Sequence, residues 1–100
     1  MKRVTVAQEA RDEIRDAVAW WKANRPKGPR RLRDELRSAF GLLAFHPEVG
    51  RPVIGAPANN DIRFLVLRVS RFLLFYSVSE EEVQVLRLWQ SNQGRRPFTR

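Results

Sequence analysis

The sequence has no cysteine, one histidine and one tyrosine. Without cysteine there is neither a disulfide framework nor a thiolate metal site. With His46 as the single histidine, a histidine-rich metal site is excluded too. Long apolar runs are also missing, and none approaches the roughly 20 residues that span a bilayer. The opening residues, MKRVTVAQEARDEI, turn charged where a secretory signal would be apolar. A cytoplasmic location, with no membrane association, is therefore expected. The chain is short as well. Its 100 residues allow one domain over 1–100, a single core and little interior beyond it. No cofactor and no metal is expected.

Negative charge is scarce, with 11 Asp and Glu against 19 Lys and Arg, for a net charge of +8. The excess is almost all arginine, whose planar fork of donors suits phosphates and carboxylates. Such a surface favours nucleic acid or an acidic protein segment. At 43%, the hydrophobic fraction is that of a folded globular protein.

Periodicity supplies the elements. Val4 and Val6 alternate within a short strand over Lys2 to Val6. Ala7, Ala10, Ile14, Ala17, Val18 and Trp21 then line one face of a helix that ends near Asn24. Thr5 and Gln8 have the spacing of a capping box at its start. Arg25-Pro26-Lys27-Gly28-Pro29 breaks the helix. A second helix runs from about Arg30 to Phe45, with Leu32, Leu36, Ala39, Phe40 and Leu43 on its apolar face. His46-Pro47 stops it. A long loop from Pro47 to Asp61 follows. Three strands come after it, IRFLVL (62–67), FLLFYSV (72–78) and VQVLRLW (83–89), joined by links short enough to force antiparallel pairing. The fold class is α+β, in the order β-α-α-β-β-β, with a helical hairpin packed on a small, mainly antiparallel twisted sheet. These strands are apolar on both faces. One face can rest on the helices, and the other needs cover from the C-terminal tail or from another chain.

This order of elements, with several local stretches, resembles the RelE/ParE superfamily of bacterial toxins from type II toxin–antitoxin systems. VTVAQEARDEI is similar to the family's first strand entering helix one. Leu43-Ala44-Phe45-His46-Pro47-Glu48-Val49-Gly50-Arg51-Pro52 resembles its helix-two ending. Arg63 to Tyr76, running into Ser77-Val78, resembles its central hairpin. VQVLRLWQSNQGRR resembles its last strand and basic C-terminal segment. The resemblance covers nearly the whole chain. It implies a toxin neutralised by a cognate antitoxin. In the ParE-like branch it also implies a protein that binds and inhibits DNA gyrase. The RelE-like alternative is a ribosome-dependent mRNA endoribonuclease acting on ribosome and mRNA. A plain nucleic-acid-binding module is a third reading.

Cleaving RNA through its 2′-hydroxyl needs a base, an acid and cations around the phosphate. Ribonuclease members often carry a Tyr or His in the C-terminal segment. Many ParE-like members end the last strand in a histidine, where this chain has Trp89 before Gln90-Ser91. Beyond Trp89 there is neither Tyr nor His. The ParE-like branch, with no catalytic residue, is therefore the expectation. The ribonuclease alternative would rest on Arg63, Arg71, Tyr76 and Arg87. Contacts to target or antitoxin are expected from Arg63, Arg71, Arg87, Trp89, Arg95 and Arg96, which would put the basic surface along the sheet hairpin and the tail. Trp20, beside the core residue Trp21, is a possible interface anchor. The run Pro29-Arg30-Arg31-Leu32-Arg33 reads as a solvated helix start whose positive charge opposes the helix dipole.

Overall fold

A computed structural model of the chain describes residues 1–56, 61–92 and 94–98. Positions 57–60 of the expected loop, and 93, 99 and 100 of the tail, lie outside the described residues. The elements are β1 (Arg3–Val6), α1 (Gln8–Asn24), α2 (Arg31–Phe45), a 3₁₀ turn (Pro47–Val49), β2 (Arg51–Pro52), β3 (Asp61–Leu67), β4 (Phe72–Val78) and β5 (Glu82–Gln90). One five-stranded sheet has the order β1-β5-β4-β3-β2. β1 runs parallel to β5, and every other pairing is antiparallel.

The α+β order is as expected, with one added strand. β2 lies inside the stretch read as a loop, where Arg51 pairs with Phe64 and Pro52 with Arg63. Two residues carry no periodicity, so the strand has no sequence signal. Proline lacks an N–H, and the sheet edge is where it is tolerated.

The capping box does not form. Thr5 is held in β1 opposite Gln84, and its buried hydroxyl has no hydrogen-bond partner. Ala7 stands at the N-cap of α1 without a side-chain cap, and Gln8 bonds Asp12 instead. Pairing of β1 with β5 prevails over a cap worth about 1 kcal/mol.

Under the two helices lies the main core. Ala10 and Trp21 of α1, and Leu32, Leu36, Ala39 and Leu43 of α2, meet Leu67, Leu74, Tyr76, Val83, Val85 and Leu88 on the sheet's inner face. Burying each large apolar side chain is worth about 1.5–3 kcal/mol. Trp21 is 7% exposed and donates its indole N–H to the Gly28 carbonyl at 3.0 Å, which fixes the turn between the helices. On the outer face a smaller cluster forms from Val53, Ile62, Leu73 and Phe75, with Phe64, Leu86, Trp89 and Phe98 partly buried against it. The cover for this second face is thus supplied in part by the chain itself, through the segment after β2 and Phe98 of the tail.

The register changes once. Phe75 pairs with Arg87 and Tyr76 with Val85, so Leu86 is an extra residue in β5. Beyond this bulge the alternation of β5 is reset. Leu88 then points into the main core, while Arg87 and Trp89 stand opposite the outer-face residues Phe75 and Leu73.

Candidate functional site

Positive and aromatic side chains meet on the outer face. β1 pairs only with Glu82–Val85, which leaves the edge of β5 uncovered beyond that point. Helix α1 fills the gap with one side chain, Glu13. Its carboxylate accepts the Leu88 amide at 3.0 Å. It also takes a bidentate grip from Arg87, with Nη2 at 2.7 Å and Nε at 3.1 Å from both oxygens. Donation of these hydrogen bonds to the Glu13 carboxylate is the main cause holding the Arg87 guanidinium above its ordinary range. Held in this way, Arg87 stacks over Trp89, 5.3 Å from the ring centre. A bidentate pair fixes the orientation of both groups as well as their separation.

Across the sheet, Arg96 lies 5.4 Å from the centre of the Phe64 ring. Phe75 packs between Phe64 at 5.7 Å and Phe98 at 5.8 Å. An open hollow is lined here by Arg51, Val53, Ile54, Phe64, Phe75 and Arg96. Its floor is aromatic and its rim is cationic, a combination that suits an acidic or phosphorylated partner with apolar anchors. Val66, on the same strand face as Phe64, is 44% exposed, and Ile54 stands almost free of the surface.

The remaining sequence-level candidates are placed elsewhere. Tyr76 lies in the main core with 0% exposure. Its hydroxyl donates to the Pro47 carbonyl at 2.7 Å and accepts the Gly50 amide at 2.8 Å. Burial is the largest influence on this phenol and pushes it above its ordinary 10.0, outweighing the opposing bond from Gly50. With both bonds made and no surface exposed, it cannot touch a substrate. A Cβ at Gly50 would collide with this hydroxyl and with the Phe64 carbonyl, so glycine is required there.

Arg63 holds the same loop. Its Nη1 donates to the carbonyls of Glu48 at 3.0 Å and Gly50 at 3.1 Å, and its Nε to Asp61 at 3.0 Å. It is a bracket for the 3₁₀ turn. Arg71 belongs to the β3–β4 turn, where its φ of 69° is in the left-handed region and its amide closes the turn on Leu67. Its side chain is exposed. Arg95 is exposed on the tail. Of the residues expected to make contacts, Arg87, Trp89 and Arg96 therefore share the outer face. Arg71 projects from one end of the sheet, and Arg63 lies with Tyr76 in the opposite half. The four side chains of the ribonuclease alternative do not converge.

Sequence reasoning missed Glu13, Glu35 and Phe64. Glu13 reads as one more charge on a solvated helix face, and only the sheet's uncovered edge gives it a role. Glu35 of α2 accepts the Val69 and Ser70 amides at 2.7 and 3.0 Å, tying the β3–β4 turn to the helix. Among the described residues there is no group of three or more acidic or histidine side chains placed to hold a metal, and no helix long and apolar enough to cross a membrane.

Comparison with known proteins fits this architecture. A solved structure titled "Chromosomal ParDE TA system from P. aeruginosa" is similar with a TM-score of 0.69, over 90% of this chain and 96% of that one. At 17% identity that likeness concerns the fold. No curated protein matches the chain. A family model described as "ParE toxin of type II toxin-antitoxin system, parDE" matches residues 4–94. That match takes in both helices, the sheet and the start of the basic tail, and the chain belongs to the ParE toxin family of type II toxin–antitoxin systems.

Proposed function

We propose that this protein is the toxin of a ParDE-type pair, that it blocks growth by binding and inhibiting DNA gyrase with no bond-making chemistry of its own, and that a cognate antitoxin neutralises it. The observation that carries the reading is the Glu13–Arg87–Trp89 assembly on the outer face. It is a preorganised cationic and aromatic surface beside a hollow, which is what recognition of a protein partner requires. Arg71, Arg87, Trp89, Arg95 and Arg96 are the proposed contacts. Arg63 is proposed as a support for the loop that frames the surface.

The ribonuclease alternative is weakened by Tyr76, the one tyrosine in the sequence. Its hydroxyl is enclosed and held neutral by burial, so it cannot exchange a proton with RNA. An antitoxin fits the same outer face, because an acidic amphipathic segment complements both the arginines and the exposed apolar positions.

Two assays on the purified protein test the proposal together. Inhibition of gyrase supercoiling with ribosome-programmed mRNA left intact is the expected result. Cleaved mRNA with unimpaired supercoiling would overturn it.

A further inference from the structure

The net charge is not spread over the surface. Residues 22–33 hold Lys22, Arg25, Lys27, Arg30, Arg31 and Arg33 and no carboxylate. Residues 68–71 add Arg68 and Arg71, again with no carboxylate. Outside these two stretches the remaining 11 cations are matched by 11 carboxylates, so the whole +8 of the chain resides in them.

The fold brings the two stretches to one end of the molecule. The first ends α1, forms the turn and opens α2. The second is the β3–β4 turn. Val69 from that turn lines one hollow together with Arg25, Lys27 and Arg31. Glu35 holds the β3–β4 turn against α2 through two backbone amides, and with Asp34 it lines a neighbouring hollow beside Arg31 and Val69, so two carboxylates flank the eight cations on the α2 side. None of the ion pairs among the described residues involves any of the eight cations. Arg25 is set in place by its stacking on Trp20 and Trp21, at 5.4 and 5.3 Å from the ring centres. Trp20 itself is half exposed.

This arrangement works against the fold. Like charges repel at close quarters, and Arg30, Arg31 and Arg33 lie at the positive end of the α2 dipole. An external polyanion would relieve both. The exposed apolar groups at the hollow are few, namely Val69 and Pro26 in its lining and Trp20 beside it under Arg25. An amphipathic acidic peptide would need more apolar anchorage than that. Regularly spaced phosphates need only cations on one surface, with an aromatic ring to lie against sugar or base.

We propose that the α1–α2 turn and the β3–β4 turn together form a binding site for the phosphate backbone of nucleic acid, which has Arg71 alone in common with the contacts proposed above. The site stands whether or not gyrase is the target, because it rests on charge placement alone.

The test is fluorescence anisotropy of the full chain with a labelled 20-base-pair DNA duplex of mixed sequence, between about 50 and 200 mM salt. Four or more neutralised phosphates give a log–log salt slope of about −4 or steeper. The triple variant Lys27→Gln, Arg30→Gln, Arg33→Gln should flatten that slope by about 2–3 and weaken binding at least about tenfold at the lowest salt. A control triple of equal charge loss, Arg11→Gln, Arg15→Gln, Arg37→Gln, should leave the slope within about one of the parent value. If the first triple does not keep the far-UV circular dichroism of the parent, Arg30→Gln alone, an exposed side chain, should lower the slope by about one. The proposal is overturned by absence of binding at the lowest salt, by equal flattening in the control, or by poly-glutamate of matched charge displacing the label as well as unlabelled duplex does.

Discussion

The two faces of the sheet are built from similar apolar residues and finished differently. The inner face lies under both helices, and its one polar group of consequence, the Tyr76 hydroxyl, has a donor and an acceptor in place. Among the described residues the outer face is covered by the segment after β2 and by Phe98, and it keeps arginines stacked on Trp89 and Phe64. Both faces are apolar enough to need cover. Among the described residues, the inner face has two whole helices over it and the outer face short segments. In this fold the main core and the proposed recognition surface thus lie on opposite sides of a single layer of backbone, and a side chain's face says more about its surroundings than its residue type does.

That division can be broken most severely from the inside. Tyr76→Ala should cost about 3–5 kcal/mol, as for other large buried side chains, and should leave little folded protein in a denaturant titration. The milder Tyr76→Phe removes two hydrogen bonds and also changes the pH dependence. The Tyr76 value is raised in the folded state, so its contribution is complete below the unfolded value of 10.0 and is lost as pH rises through the folded value. The melting temperature of the parent should fall in that alkaline window, and the Phe variant should lack this component. Next in size is Glu13→Ala, which uncouples the two faces at the β5 edge. It leaves the Leu88 amide and Arg87 without their partner, so a loss of about 1–3 kcal/mol is expected, together with weakened gyrase inhibition as Arg87 loses its orientation. The smallest effect on stability should come from the outer face. Trp89→Ala should cost about 1 kcal/mol in a melt, yet reduce target binding at least about tenfold. A Trp89 variant that unfolds the protein, or one that binds normally, would erase the distinction between the faces.

Much of this fold was legible because both helices are amphipathic and the strands are separated by short polar breaks. Ala10, Leu32, Leu36, Ala39 and Leu43 sit where their spacing puts them. The faces of β5 were not legible. Its residues alternate cleanly only up to Leu86, and the pairing that creates the bulge belongs to β4 as much as to β5. Arg87 and Trp89 could be named as candidates, but nothing local shows that they share a face with Phe64 and Arg96. The separation of Arg63 from Arg87 was hidden for the same reason: both are arginines in strands, and only the loop carbonyls of Glu48 and Gly50 make Arg63 a bracket. The expected location of the basic surface, along hairpin and tail, also shifts. The densest run of cations lies at the helical turn, and the fold sets the β3–β4 turn beside it, with Asp34 and Glu35 on its flank.

The extra residue at Leu86 has a consequence of its own. It acts as a phase shift in the strand, advancing the alternation by half a period. Pairing Leu86 regularly, with no bulge, would turn Arg87 and Trp89 beneath the helices and Leu88 out to solvent, whereas deleting Leu86 outright would leave all three on their present faces. The strand therefore consists of two halves with independent phase, a leading half that sends Val83 and Val85 to the interior and a trailing half that sends Leu88 there and keeps Trp89 against the outer-face cluster. Arg87 and Trp89 can therefore be exchanged without moving Val83, Val85 or Leu88 out of the core, provided that the offset at Leu86 is kept.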